Sequence, residues 1–264
     1  YEINAKFLRM VSFKFPGDSD RLRRMSLIEE GNEKMVRMAY LAIAASFSVN
    51  GVAELHTKLL TNGLVKDFYE MWPEKFNNKT NGITQRRWLY NCNKDLSDLI
   101  TDKIGEDWAK DLYKIKDIEK YATNKTFIKK WFEVKKSAKE RLAGILKKWE
   151  GIELNTDTVF DIQIKRIHEY KRQMLNILHC IHLYNRIKAG DRDITPRTFI
   201  FAGKAAPGYL RAKNIIKFIN NVSDVINSDP DTDGLLYVHF IPNYRVSLAE
   251  YLIPAADVSE QIST

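Results

Sequence analysis

Cationic side chains crowd one short stretch of the chain, residues 164–173, whose sequence reads IKRIHEYKRQ. Its cations are Lys165, Arg166, Lys171 and Arg172, with His168 as a possible fifth. The stretch follows an apolar run that favours a strand, and it opens an amphipathic pattern, continuing to about Lys188, that favours a helix. A helix start presents free N–H groups and the positive end of a dipole, so cations there would repel one another without an anionic partner. We therefore predict that this stretch binds phosphate.

Two further segments with a similar setting follow later in the chain. Apolar runs that predict strands end just before Gly203–Gly208 and just before Pro242–Val246. The first segment carries Lys204 among small residues, and the second carries Arg245. Because the ends of adjacent parallel strands lie about 4.8 Å apart, we expect the three segments to share one crevice. Such a crevice would suit a ligand with more than one phosphate-type anion.

The elements that would position these segments are a sheet and its covering helices. In the last third of the chain, strands are predicted at residues 158–164, 198–202 and 235–241, and helices at 169–188 and 208–226. Strands that are nearly all apolar and alternate with helices predict a parallel sheet covered on both faces, and therefore an α/β fold. In such a sheet the ligand lies at the carboxyl ends of the strands.

The earlier part of the chain is predicted to be mainly helical. Helices are predicted over residues 18–64, with an N-cap at Asp18, a buried segment at 35–47 and a turn at 48–53. The polar, Asn-rich residues 71–81 lose all periodicity and are predicted to cross between two domains. Another helix is predicted to begin near Arg86, and helices continue to about Trp149, where apolar residues recur every three or four positions.

Composition narrows the class of protein. The net charge is +8, but between Asp102 and Glu150 the charges alternate around an apolar stripe, as on a solvated helix face, so we expect no nucleic-acid partner. No run of about 18 apolar residues occurs, so no membrane span is expected. Cys92 and Cys180 lie far apart and match no metal spacing, which favours reduced thiols in a cytoplasmic protein without a metal site.

At these motifs the chain resembles the glycogen phosphorylase family, the pyridoxal-phosphate-dependent α-1,4-glucan phosphorylases. The matching blocks are RLRRMSLIEEG at 21–31 with VNGVA at 49–53, NKTNGIT at 78–84 continuing to Trp88, residues 160–173, and residues 203–208 with 243–264. The resemblance extends essentially from one end to the other. Its main departure is Gln85, where the family usually has Pro.

The resemblance implies a two-domain glycosyltransferase-B architecture with the active site between the domains. Residues 1–80 would be the helical C-terminal part of the N-terminal domain, and residues 81–264 would begin the Rossmann-like C-terminal domain. The family transfers terminal glucosyl units of an α-1,4-glucan to orthophosphate, giving glucose 1-phosphate, and the phosphate of pyridoxal 5'-phosphate acts as acid and base. Family members are commonly homodimers under allosteric control.

The resemblance also implies roles for individual residues. Lys165 would hold the cofactor phosphate, Arg166 and Lys171 would clamp the substrate phosphate, and Tyr170 would contact the sugar beside it. Trp88, Tyr244, Arg245 and Val246 would line the cofactor. Asn81 and Val52 would contact glucose, and His168 would be linked to the site across the domain interface.

Two consequences and two alternatives accompany this interpretation. The cofactor's Schiff-base lysine is expected beyond residue 264, so the chain is expected to be an internal part of a longer enzyme and to be inactive alone. One alternative is a nucleotide-sugar glycosyltransferase of the same architecture, which would not need Trp88 or the Tyr244–Val246 turn. The other is a non-catalytic binding module that uses the basic helical segment.

Overall fold

The computed structural model describes residues 1–264, which separate into two compact units, Tyr1–Ile83 and Thr84–Thr264. Each unit has its own apolar core. None of the helices combines the length and the apolar character that crossing a bilayer requires.

The first unit consists of short helices and two small pairs of strands. Its helices are α1 (Glu2–Lys14), α2 (Ser19–Met25), α3 (Met38–Ala45), α4 (Glu54–Leu59) and α5 (Lys66–Met71), with a π-helical turn at Leu60–Leu64 and a 3-10 turn at Pro73–Lys75. Its strands are β1 (Ile28–Glu29) and β2 (Met35–Val36), which form an antiparallel hairpin, and β3 (Val49–Gly51) and β4 (Phe76–Asn78), which pair in parallel. The predicted N-cap is confirmed, because the Asp18 carboxylate accepts a hydrogen bond of 2.8 Å from the Arg21 N–H.

Three predictions for the first unit are wrong. The β1–β2 hairpin interrupts the predicted helical region, and β3 replaces the predicted turn at 48–53. Gly51 allows this strand to lie against α4, because a Cβ there would meet Thr57 Oγ1 at 2.1 Å. The segment 35–47 is not a buried helix: α3 is shorter, only its Ile43 is buried, and Phe47 is 94% exposed. Only one face of α3 packs on the core, although its composition is apolar on several faces.

The second unit is built on a parallel sheet, which confirms the predicted fold class. Its strands are β5 (Val159–Ile164), β6 (Arg197–Ala202), β7 (Leu236–Ile241) and β8 (Val258–Ser259). They lie in the order β7-β6-β5-β8, and every neighbouring pair is parallel. Its helices are α6 (Lys94–Ile104), α7 (Lys125–Glu150), α8 (Gln173–Lys188), α9 (Leu210–Ser228) and α10 (Val246–Ala255), with a π-helical turn at Arg86–Asn91 and 3-10 segments at Asp107–Ala109, Leu112–Tyr121, Glu169–Lys171 and Pro230–Thr232.

Both faces of this sheet are covered, as the apolar strands predict. Side chains alternate along a strand, so Phe199 and Phe201 of β6 face α8 and α9. Ile200 and Ala202 belong to the cluster formed with α7 and α10 on the opposite face. Burial on both sides fixes the register of the strands and therefore the positions of their ends.

The helix predicted from residue 169 begins four residues later, at Gln173. A 3-10 turn occupies Glu169–Lys171, and Arg172 adopts a left-handed conformation with φ of 60°. A left-handed residue reverses the chain direction and cannot belong to a right-handed helix. The cationic stretch is therefore a loop that precedes α8, and its charges do not occupy the first turn of that helix.

Candidate phosphate site

The three strand ends that carry the predicted site residues line up at one edge of the sheet. Ile164 pairs with Ala202, and Ala202 pairs with Ile241, so β5, β6 and β7 end at the same level. We call the segment Lys165–Arg172 the β5 loop and the segment Pro242–Arg245 the β7 turn. Both leave the sheet from this edge, where ligands of parallel sheets bind.

The β5 loop lies in direct backbone contact with the segment that follows β6. The Lys165 N–H donates to the Ala202 carbonyl at 3.0 Å, and the Ile167 N–H donates to the Lys204 carbonyl at 3.2 Å. Gly203 makes this approach possible, because a Cβ there would lie 1.9 Å from the Lys165 carbonyl oxygen. Gly203 therefore serves the contact between these two backbones.

None of the cations of the β5 loop has an acidic partner; Arg172 donates to the Ile262 carbonyl at 3.4 Å, and the other three are those predicted to bind phosphate groups. Lys165 Nζ donates to the neutral Gln261 Oε1 at 2.8 Å, Lys171 Nζ lies 4.9 Å from the Tyr170 ring centroid, and the Arg166 side chain is exposed. None of the three forms an ion pair with a carboxylate within 4.0 Å. Partial burial and the nearby Lys171 ammonium lower the pKa of Lys165, and Glu260 offsets part of this effect. An anion placed here would relieve the repulsion between the two ammonium groups.

His168 packs between two tyrosines of the same unit. Its ring centroid lies 4.6 Å from that of Tyr170 and 5.0 Å from that of Tyr209. Its Nδ1 accepts from the Tyr170 N–H at 3.4 Å. The Tyr209 hydroxyl donates at 2.5 Å to Glu169, which also pairs with Arg211. These contacts order the middle of the β5 loop, while the proposed link across a domain interface stays a prediction.

The β7 turn uses its cation differently. The Arg245 guanidinium lies 5.0 Å from the ring centroid of Trp149, at the end of α7. Its Nε donates to Ser247 Oγ at 3.1 Å, and another nitrogen donates to the Asn243 carbonyl at 3.2 Å. The structure thus places the Arg245 charge on Trp149 and shows no contact with Lys165 or Lys171. Tyr244 is half-buried against the sheet, which raises the pKa of its hydroxyl.

The remaining predicted residues lie on other elements. Val246 begins α10 and is 51% exposed. Trp88 is half-buried in the π-helical turn Arg86–Asn91, which the ion pair of Arg87 with Glu250, 2.7 Å long, joins to α10. In the first unit, Asn81 and Val52 are both exposed and are brought together by a hydrogen bond of 2.9 Å from the Asn81 N–H to the Val52 carbonyl.

Comparison with known proteins identifies the family. The family description "Carbohydrate phosphorylase" matches residues 1–264, which is the whole chain. The chain belongs to this family. It is 53% identical to glycogen phosphorylase of Synechocystis sp. and to the muscle form of Mus musculus, and 52% identical to the muscle form of Homo sapiens. Each alignment covers 100% of this chain, and the chain spans 31–32% of the length of these relatives.

A pair of carboxyl groups, Asp161 and Glu260, lies on the sheet from which the β5 loop emerges. Asp161 of β5 is 1% exposed, and its Oδ2 accepts from Arg197 at 2.8 Å. Asp161 is the register partner of Val258, so Glu260 is its diagonal neighbour on the same face of the sheet. Burial and the nearby Glu260 raise the pKa of the Asp161 carboxyl to about 7, against the opposing effect of Arg197.

Sequence reasoning missed the segment 258–264, which lies along the β5 loop. β8 pairs with β5, and the Glu260 N–H donates to the Ile162 carbonyl at 2.9 Å. Beyond it, Gln261 holds Lys165, and the Thr264 N–H donates to the Tyr170 carbonyl at 3.0 Å. A two-residue strand gives no periodic signal, so only its pairing with β5 reveals it.

Proposed function

We propose that the protein containing this chain is an α-1,4-glucan phosphorylase. It transfers terminal glucosyl units of glycogen, starch or maltodextrin to orthophosphate and forms glucose 1-phosphate. The family match and the glycogen phosphorylases among the relatives support this reaction class. The observation that carries the proposal is the β5 loop, a single loop on which Lys165, Arg166 and Lys171 all lack a carboxylate partner.

The same loop fits the phosphate of pyridoxal 5'-phosphate beside the substrate phosphate. Two unit charges 4 Å apart repel by about 4 kcal/mol at an effective dielectric constant near 20, and dianions repel more. We assign Lys165 to the cofactor phosphate, Arg166 and Lys171 to the substrate phosphate, and Tyr170 to the sugar beside it. When bound, the cofactor would supply a phosphate that gives and accepts a proton. The chain's own residues would hold both anions and stabilise the charge on the attacking orthophosphate.

Other residues complete this assignment on the family resemblance alone. Trp88, Tyr244, Arg245 and Val246 would line the cofactor, Asn81 and Val52 would contact glucose, and His168 would support the site from the β5 loop. Residues 1–80 would belong to the N-terminal domain and residues 81–264 to the C-terminal domain. A cytoplasmic location, a homodimer and allosteric control belong to the same proposal. No observation favours the nucleotide-sugar alternative.

The test is an assay of the complete gene product loaded with pyridoxal phosphate. It is incubated with glycogen or maltoheptaose and orthophosphate, and glucose 1-phosphate is measured. We expect product only when both glucan and orthophosphate are present. Release of a nucleoside diphosphate from a nucleotide sugar, with no glucose 1-phosphate formed, would overturn the proposal.

A further inference from the structure

Three side-chain amides are buried directly behind the β5 loop. Gln173 is 0% exposed, Gln163 is 1% exposed and Asn176 is 4% exposed. Gln163 lies on β5, whereas the other two lie on the first turn of α8. Buried amides must find hydrogen-bond partners because leaving them unpaired is costly, and these find most of theirs in the backbone of the loop.

Each glutamine holds the loop at a different place. Gln173 Nε2 donates to the Arg166 carbonyl at 3.1 Å, and its Oε1 accepts from the His168 N–H at 3.4 Å. Gln163 Nε2 donates to the Lys171 carbonyl at 3.0 Å. Asn176 Nδ2 donates to Gln163 Oε1 at 3.1 Å and thereby orients that amide.

The two carbonyls held in this way belong to Arg166 and Lys171, the residues assigned to the substrate phosphate. Their side chains make no hydrogen bond or ion pair, so both positive charges remain available. The backbone is thus fixed from the protein interior, while the charged ends are left for a ligand. A carboxylate in place of either amide would compete with that ligand for the cations, whereas a neutral amide does not.

We infer that Gln163, Gln173 and Asn176 are positioning residues that set the phosphate affinity of the site by fixing the backbone of Arg166 and Lys171. The inference rests on the proposed function and adds the residues that place its phosphate clamp. Loss of either glutamine amide should misplace a cation without removing it. A displacement of about 1 Å at a reacting group can cost roughly a hundredfold in rate.

The first experiment compares Gln173→Met and Gln163→Met with a matched control, Asn227→Leu, in the complete gene product loaded with cofactor. Asn227, on α9, makes the same kind of bridge away from the β5 loop. It donates to the Val238 carbonyl at 2.7 Å and accepts from the Val238 N–H at 2.9 Å, and Val238 lies on β7. We expect both glutamine variants to raise KM for orthophosphate by roughly 10- to 100-fold. KM for the glucan should stay within about twofold of wild type. The control should change neither KM.

The second experiment uses Gln173→Glu, which keeps the shape of the side chain. When protonated, its carbonyl oxygen can accept from the His168 N–H and its hydroxyl can donate to the Arg166 carbonyl, whereas the ionised form cannot donate. Burial raises the pKa of such a carboxyl. We therefore expect the ratio of KM for orthophosphate, variant to wild type, to be near one at low pH and to rise with pH. Taking the ratio cancels the titration of orthophosphate itself.

The outcomes separate this inference from the proposed function. An active wild type whose glutamine variants keep the wild-type KM for orthophosphate would overturn the inference alone, as would a pH-independent ratio for Gln173→Glu. An equal change in KM for both substrates would also overturn it. A wild type that forms no glucose 1-phosphate would overturn the proposed function together with the inference. Calorimetric titration with inorganic phosphate provides a readout that does not depend on turnover, and weaker binding by Gln173→Met is expected.

Discussion

The β5 loop and the β7 turn leave the same edge of one sheet, yet their cationic residues are held differently, through the backbone in the loop and through the side chain in the turn. In the β5 loop, buried amides hold the backbone, and the Arg166 and Lys171 side chains make no hydrogen bond or ion pair, although Lys171 lies over the Tyr170 ring. In the β7 turn, Arg245 itself is held, by Trp149 and by its hydrogen bonds to Ser247 and the Asn243 carbonyl. A cation fixed only through its backbone can turn its charged end toward a ligand, whereas a cation whose side chain is hydrogen-bonded must first break those bonds.

The largest expected effect comes from breaking the support of the β5 loop at Gly203. In Gly203→Ala the new Cβ would lie 1.9 Å from the Lys165 carbonyl oxygen, so the two backbones must separate. Separation would break two backbone hydrogen bonds and expose Ile167, which is 3% exposed. At about 1 kcal/mol for each bond and about 2 kcal/mol for Ile167, the loss is about 4 kcal/mol. Hydrogen exchange of a peptide covering 160–172 measures it.

The matched control is Gly208→Ala in the same segment. A Cβ at Gly208 would meet nothing within 4 Å, so exchange of the same peptide should stay at the wild-type level. Equal protection in the two alanine variants would contradict the backbone contact described here.

A second prediction concerns Asp161, the ionisable residue of β5; the buried amide of Gln163 on the same strand does not titrate. Burial and Glu260 raise the pKa of Asp161 to about 7 in the folded state, whereas an unfolded Asp has a pKa of about 3.9. The folded chain therefore keeps a proton that the unfolded chain releases. This stabilisation is complete below about pH 3.9 and is lost as pH rises through about 7, by at most about 4 kcal/mol.

The comparison is made between the wild type and Asp161→Asn. The variant cannot titrate at this position, so its melting temperature should fall less between pH 4 and pH 7, and hydrogen exchange of residues 258–264 should show the same flattening. Identical pH profiles for the two proteins would mean that the carboxyl pair does not hold β8 to β5.

The third prediction tests the comparison between the two cations through function. Lys171→Gln should lower kcat/KM for orthophosphate by roughly a hundredfold, because it removes a cation from the proposed phosphate clamp. Arg245→Gln should lower the same ratio by less than about tenfold, since its guanidinium is already hydrogen-bonded to Ser247 and to the Asn243 carbonyl. Steady-state kinetics of both variants measure the two effects. An Arg245 effect as large as that of Lys171 would contradict the distinction drawn between the two cations.

The sequence predicted the sheet well because burial on both faces leaves a local pattern. Apolar runs ending at Ile164, Ala202 and Ile241 are enough to predict three parallel strands and the shared level of their ends. It also located the cationic loop, because a cluster of like charges stands out in any chain. These features depend on residues close together in sequence.

The features it missed depend on contacts between distant segments. The start of α8 moves to Gln173 because Arg172 turns the chain, and the amide contacts of Gln163 and Gln173 favour that turn. The stacking of Arg245 on Trp149 joins segments that no periodicity connects. The one available signal was Gln163 itself, a polar residue in an otherwise apolar strand end, since a buried amide requires partners.

The smallest expected effect compares the backbones of the two segments. Each contains one non-glycine residue in the left-handed region, Arg172 with φ of 60° in the β5 loop and Asn243 with φ of 49° in the β7 turn. Arg resists this conformation by roughly 1–2 kcal/mol, whereas Asn adopts it readily. Arg172→Gly should therefore stabilise the folded state by up to about 1 kcal/mol, after the greater flexibility of unfolded glycine is deducted. Asn243→Gly should change stability by only a few tenths of a kcal/mol. Melting temperatures of the two variants measure the difference. A larger gain at Asn243 would mean that the backbone strain lies in the β7 turn and not in the β5 loop.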